Sequence, residues 1–554
     1  MNTAMNTNFL HTIPLLPRFL LHSTRLLLWT CCLPLAAAAD DGQIADSKIV
    51  TAQIDQHIQS AWQQRGLQPA TTCSDTEFLR RLSLDLTGRI PSPAELTEFL
   101  SQPEAQRRSA AVERLLASTE SAHHLAETFD TLLMGRGRPR DYQRRKQQDW
   151  LTWLERQFHQ NRPWNQVVHD LLLARPNQKT DRGAVWFLYE RENNHQKIAE
   201  AIAPAVFGIR IECAQCHDHM VATEIEQRHY WGLVAFFNRS TNADTPAGPQ
   251  LAESAIGGFS DFAGLEGDSH PNLLTFFASD TVAETRPAAG EKQQDSDDLY
   301  TPSPAADAPR IPKFSRREAF VREIVDQHPL VARAFVNRAW AMLLGRGLVH
   351  PFDQMDSAHP PSHPELLDWL ANDFRTSNYN VQRLLRALLL SQPYALSSVR
   401  PAAADNPADF TYFLEKPLTA EQLLRSWNVA LSGHPETDQQ PLNEVRSVFP
   451  EVLPETITTG IDKALFLSNN PVLPQLIAAS TADGGLLHSL TTTPSPEAAV
   501  TTAFQRIYAR SPSAEEQQAI TLYLQQHSNA NDTSNAWQQV LWAMLTSAEF
   551  RFNH

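Results

Sequence analysis

Apolar residues recur at helical spacing along most of this chain, and that periodicity constrains the fold more than any other feature. Trp537, Val540, Leu541, Met544 and Leu545 form an i, i+3, i+4, i+7, i+8 stripe, the pattern of a helix with one buried face. Helix boundaries are written in as well. The run Phe78–Leu86 stops at Thr87-Gly88, and glycine there offers a left-handed C-cap. Ser92-Pro93-Ala94-Glu95 has capping-box spacing with proline at the first helical position. Ser315-Arg316-Arg317-Glu318 repeats that signal, followed by a face of Val331, Ala334, Phe335, Arg338 and Ala341 that ends at Gly345-Arg346-Gly347. Ser362 has the same spacing to Glu365 and is predicted to cap the helix carrying Leu366, Leu367, Trp369, Leu370 and Phe374. Gly183–Tyr189, with Val185, Trp186, Phe187 and Leu188 in a row, reads as a short buried strand or an irregular segment. Tyr230, Trp231, Leu233, Val234, Phe236 and Phe237 make an aromatic helix.

The pattern breaks once. Over residues 241–313 Gly, Asp and Pro rise and helical periodicity disappears. Residues 251–285 keep apolar residues able to form strands, and 287–310 read as a Pro- and Asp-rich connector. The expected fold is therefore mainly α, in two helical lobes (47–240 and 314–554) joined by a Pro/Asp/Ala-rich, partly irregular connector at 241–313.

Chemistry is concentrated in Ile211–Met220, which reads IECAQCHDHM. Cys213-Ala214-Gln215-Cys216-His217 is the C-x-x-C-H arrangement of covalent haem c attachment. Three-residue spacing on a helix puts both thiols on one face, where they can form thioethers, and His217 is placed as the proximal iron ligand. C-x-x-C also serves as a zinc half-site or a redox dithiol. The chain holds no second C-x-x-C to complete a zinc ribbon and no surrounding βαβ pattern for a thioredoxin-like site. A third reading keeps both cysteines in the core, because Ile198, Ile202, Val206, Ile209, Cys213 and Cys216 fall on one helical stripe; that stripe crosses Pro204, where a helix should kink.

The N-terminus bears on the choice. Residues 1–39 hold two basic residues, Arg18 and Arg25, and no acidic one; an apolar run through Leu35 leads into Ala36–Ala39 before Asp40. This is the pattern of a signal peptide cleaved near Asp40, and the run is short for a membrane span. Export suits haem c assembly and implies a periplasmic or cell-envelope location. Cleavage removes Cys31 and Cys32 and leaves Cys73 as the third cysteine. With 47 Lys+Arg against 62 Asp+Glu the formal charge is −15; losing both leader arginines takes it to −17. That balance disfavours nucleic acid and anionic membrane surfaces as partners.

Longer stretches carry a resemblance. FLRRLSLDLTGRIPSPAELTEFL (Phe78–Leu100), FGIRIECAQCHDHM (Phe207–Met220) and HYWGLVAFFNR (His229–Arg239) resemble the planctomycete cytochrome-c-like domain, a family of unknown function. Ala332–Phe374, Leu418–Gly433 and Trp542–His554 resemble its companion C-terminal domain, also of unknown function. The resemblance implies bacterial export and supports the haem reading of Cys213, Cys216 and His217. The family places proline after the second motif histidine, where this chain has Met220.

Three function classes follow. The first is an exported c-type haem protein with an electron-transfer or redox-accessory role and a redox partner protein. His219 is too close to His217 to reach the opposite face of a haem, so the sixth-ligand candidates are His229, His350, Met355, His359 and His363. The second is a metal-dependent hydrolase or carbohydrate-processing accessory, with His350, Asp353, Asp356, His359 and His363 as its ligand cluster. Against it, the prolines around His359 and His363 read as a stiffened approach to a helix. The third is a cofactor-free helical binding scaffold.

Overall fold

Serine caps and glycine stops set the helices where the sequence places them. Ser92 Oγ accepts from Glu95 N at 3.3 Å, and the Glu95 carboxylate accepts from Ser92 N at 2.7 Å. Both bonds of the capping box are therefore made, and Pro93 opens the helix Pro93–Ser101. Gly88 ends the helix Asp75–Thr87 at φ 68°, with its N–H on Leu84 O. A Cβ there would stand 2.5 Å from His124 Nδ1, so both the backbone and the neighbour require glycine. This computed structural model describes residues 41–554 apart from 177–178, 247, 303–307, 403, 450–451, 454–459 and 528–529. The expected signal peptide at 1–39, with Cys31 and Cys32, lies outside the described residues. The molecule is mainly α-helical, with small two-stranded antiparallel sheets.

Three local expectations change. Gly183–Tyr189 is neither strand nor irregular coil: Lys179–Val185 is a 3-10 helix running into the helical turn Trp186–Tyr189. A Cβ on Gly183 would meet Trp153 Cβ at 2.4 Å and Asp149 O at 2.6 Å, so the segment lies directly on a neighbouring helix, and a run of apolar residues cannot tell that from a strand. Ser362 does not cap the helix Pro364–Thr376. His363 occupies the cap without a side-chain bond, and Ser362 N and Oγ both donate to Leu348 O, at 2.8 and 3.2 Å. Pro364 is the cause: the residue before proline is kept out of the helical region, which shifts the cap by one residue. Ser315 makes half of its box. Its Oγ accepts from Glu318 N at 3.1 Å, while the Glu318 carboxylate pairs with Arg175.

The 240–313 region forms three short hairpins: Ser240–Thr245 with Gly248–Glu253, Asp261–Ala263 with Ser269–Pro271, and Tyr300–Thr301 with Ile311–Pro312. It is tied down by buried charge. Glu253 accepts from Arg316 N at 2.7 Å and Ser315 Oγ at 2.6 Å and pairs with Arg317 at 3.3 Å. Arg316 donates to Ala235 O and Gly258 O and pairs with Glu284, which also holds Arg239.

Apolar packing runs straight across this region. One core takes buried residues from Val50 to Phe413 together with Ala509, and a second takes Leu418–Phe550 together with Leu84 and Ile90. The helix Asp75–Thr87 serves both: Phe78, Leu79, Leu82 and Leu86 belong to the first core and Leu84 to the second. Its arginines are buried too. Arg80 donates to Ile507 O at 3.0 Å and Phe550 O at 3.1 Å, and Arg81 to Leu396 O at 2.9 Å. Between the cores Asp85 accepts from Lys416 Nζ (2.6 Å), Tyr394 OH (2.9 Å) and Asn553 Nδ2 (2.8 Å), while Lys416 also donates to Met342 O and Leu343 O.

Candidate functional site

The helix His195–Ile202 does not reach the motif. It loosens into a π-turn at Ala203–Phe207, where Pro204 lacks a donor, and stops at Gly208 with φ 66°. Ile209 and Ile211 remain buried, but the cysteines have left the stripe. Cys213 sits on a separate 3-10 turn, Glu212–Gln215, Cys216 is the residue that ends it, and both cysteines are free and exposed. The reading of Cys213 and Cys216 as core side chains is thereby overturned.

Neighbouring side chains hold the turn from below. Gln215 O, between the two cysteines, accepts from Trp231 Nε1 at 3.0 Å and Gln227 Nε2 at 3.2 Å. Asp218 Oδ1 accepts from Gln227 N at 2.7 Å, at the first turn of the helix Gln227–Phe237, where a carboxylate also meets the positive end of the helix dipole. Beyond the motif Met220 and Val221 stand 81 % and 68 % exposed.

Hydrogen bonds sort the histidines. His217 Nδ1 lies 2.7 Å from Asp218 O. A carbonyl only accepts, so Nδ1 carries the proton and the neutral ring keeps its lone pair on Nε2. His219 is the reverse: its Nδ1 accepts from Ala222 N at 2.9 Å and Val221 N at 3.3 Å, which puts the proton of the neutral ring on Nε2. His217 is therefore the motif ring whose neutral form keeps its lone pair on Nε2, with a carbonyl fixing its tautomer. Two exposed thiols and such an imidazole are the donor types that thioether attachment and axial ligation of haem need, and Met220 and Val221 add apolar surface beside them.

The other sequence candidates are dispersed. His229 is buried; its Nδ1 accepts from Glu226 N at 3.0 Å, and burial holds its pKa below the usual value. Met355 is buried against Gly208: its N donates to Gly208 O at 2.8 Å, and a Cβ on Gly208 would meet its Sδ at 3.0 Å. His350 lies before Pro351 and lines a small cavity with Phe352, Lys416 and Leu453. Asp353 pairs with Arg210, and Asp356 accepts from His359 Nδ1 at 2.8 Å. That bond leaves the His359 lone pair on Nε2. His363 is buried against Phe410, its Nδ1 on Ser362 Oγ, and burial, with Arg65 nearby, pushes its pKa down to about 4. Of the five residues His350 to His363, only Asp356 and His359 bond to each other. Among the described residues no group of three or more His, Cys, Asp and Glu side chains is placed to hold a metal ion.

Two residues that the sequence reading left without a role underlie this arrangement. Arg338, 2 % exposed, donates to Pro204 O at 2.8 Å and Ala205 O at 3.2 Å, carbonyls of the π-turn. Its neighbour Asn337, fully buried, donates to Val349 O and Phe352 O and accepts from Val349 N at 2.9 Å. An arginine inside an apolar stripe was the available signal, since a buried charge always has a structural or chemical reason.

Comparison with known families now bears on the geometry. Residues 53–242 match PSCyt2, described as a protein of unknown function (DUF1549), and residues 316–451 match PSD1, described as a protein of unknown function (DUF1553). The chain thus carries one segment that matches each family. The two domains stand in the order the sequence resemblance indicated, and the first contains the motif. No curated protein and no solved structure matches the chain. Among the described residues no helix is long and apolar enough to cross a membrane.

Proposed function

We propose that this chain is an exported c-type haem protein that passes electrons to or from a redox partner in the cell envelope. Cys213 and Cys216 hold the group through thioethers, and His217 Nε2 binds the iron. One observation carries the reading: two exposed, free thiols three residues apart are followed at once by an imidazole whose Nδ1–H is fixed by a carbonyl. The first family's short name points to a cytochrome-like domain, and the leader-like residues 1–39 suit the compartment in which haem c is assembled. Haem bound in this way supplies one-electron chemistry at a potential set by its axial ligands and surroundings. The protein's own part is to hold the thiols in register and keep His217 in one tautomer. It does so through Gln227 and Trp231 on Gln215 O and through Asp218 O on the ring.

The test is expression with its leader in a host that matures haem c, followed by a visible spectrum and an intact mass. A Soret band with one covalently added haem is expected. Colourless protein of unmodified mass, from cells that load a control cytochrome, rejects the reading. Zinc analysis of that colourless protein then separates a metal site from a cofactor-free scaffold.

A further inference from the structure

The motif loop belongs to the first family domain, yet the second domain grips it on both sides. Ahead of Cys213, Met355 N donates to Gly208 O at 2.8 Å, and Asp353 receives both arms of Arg210, Nε at 3.1 Å and Nη2 at 2.9 Å. Beyond His219, Glu224 receives both donors of Ser357, N at 2.7 Å and Oγ at 2.7 Å. Residues 353–357 thus bridge the two ends of a stretch that contains the cysteines and both motif histidines. Both side-chain contacts are two-pronged, which fixes direction as well as distance. Burial would raise the Glu224 pKa, but the bonds from Ser357, with a contribution from His219, hold it below the ordinary value. Glu224 is therefore a carboxylate where it is gripped.

Both gripping partners are themselves anchored to one rigid element. On the helix Pro329–Leu344, Asn337 pins Val349 and Phe352, just before the gripping residues, and Arg338 pins Pro204 and Ala205, just before the motif loop. Adjacent side chains of a single helix thus set the spacing between the two loops. A loop whose ends are bound to a helical platform loses the local opening that exposed loops otherwise undergo.

We infer that Asp353, Met355 and Ser357 form a clamp through which the second domain positions the C-x-x-C-H loop, so that the loop's ligand geometry is set by a domain that contributes neither thiol. The inference rests on the proposed haem site for its functional meaning, but the clamp itself is measurable without haem. These three are positioning residues and act through Arg210, Gly208 and Glu224.

The experiment compares wild type with the double variant Asp353→Asn, Ser357→Ala, and with Arg338→Met as the variant that strikes the platform. Hydrogen exchange is followed by mass spectrometry on the full-length haem-free protein. In the double variant, amides of residues 209–225 should exchange about tenfold faster, with the melting temperature and the exchange of the Asp75–Thr87 helix unchanged. Ser357→Thr, which keeps the hydroxyl, should restore most of the protection. In haem-loaded protein the same double variant should shift the visible spectrum or midpoint potential. Unchanged exchange at 209–225 in the double variant overturns the clamp, whether or not Arg338→Met folds. A protein that never takes haem but shows faster exchange keeps the clamp and rejects the haem reading. A loaded protein with unaltered exchange and spectrum does the opposite.

Discussion

Two polar clusters in this molecule obey opposite rules. At the Asp85 junction both charged groups are spent: Lys416 Nζ donates to Asp85, Met342 O and Leu343 O, and Tyr394 and Asn553 also donate to the carboxylate. Burial nevertheless raises the Asp85 pKa and lowers that of Lys416, so removal from water outweighs the attraction between them. The motif loop is tied by as many bonds, but these fall on backbone and supporting side chains, and the thiols of Cys213 and Cys216 are left free at the surface. A polar group whose whole hydrogen-bonding capacity is used holds the fold together. One held in place with its reactive atom at the surface is accessible from outside the chain.

The largest effects should set the exposed motif cysteines apart from the buried one. Cys213→Ala with Cys216→Ala should abolish covalent haem completely while leaving the melting temperature near that of the haem-free wild type, because both side chains are exposed. Cys73→Ala should keep the haem and lower stability, since Cys73 is buried in the first core. Intact mass and thermal melting measure both. A stability loss in the double variant matching that of Cys73→Ala would erase the distinction.

Next in size is Lys416→Met. Leaving Asp85 buried without its cation should cost about 3–5 kcal/mol in denaturant unfolding, with haem content per folded molecule unchanged. A loss below about 1 kcal/mol would mean that the junction is less strictly spent than its geometry implies.

Much of this was legible beforehand, and the exceptions have physical causes. The helices around Gly88, Ser92 and Gly345 could be read because their caps are local chemistry, fixed within four residues. The cap at Ser362 was misplaced because Pro364 restricts the residue before it, a rule that competes with capping-box spacing. The motif residues were plain, but their exposure was not, since periodicity through Pro204 suggested a helix that in fact ends at Gly208. The clamp left no local trace at all: Arg210 and Asp353, or Glu224 and Ser357, lie far apart in sequence and are ordinary surface residue types. Sequence families divide the chain between residues 242 and 316, whereas the apolar cores divide near residue 415. A family boundary records where sequence similarity stops, and packing is free to cross it.

Single hydroxyls give a smaller contrast. Ser92→Ala removes a reciprocal cap and should cost about 0.5–2 kcal/mol. Ser362→Ala removes the Oγ bond to Leu348 O, which keeps the bond from Ser362 N, and the contact of Oγ with His363 Nδ1, and should cost about 0.5–1.5 kcal/mol. If Ser362→Ala proved clearly the worse of the two, the helix at Pro364 would be capped by that serine after all.

The smallest effect concerns pH and only one arm of the clamp. The Glu224 carboxyl has its pKa held below the ordinary value of 4.5. An acid with a depressed folded pKa contributes its stabilisation fully above the unfolded value, and loses it as pH falls through the folded one. The grip of Glu224 on Ser357 should therefore be constant from neutral pH down to about 4.5 and weaken only in stronger acid. The Asp353–Arg210 arm holds the other end of the loop. Exchange at 219–225, normalised to that at 209–212 and to intrinsic rates, should rise below pH 4.5 in wild type. In Glu224→Gln, which cannot ionise, the ratio should stay flat. A rise already between pH 5 and 7 would remove Glu224 from its role as the acid-sensitive arm.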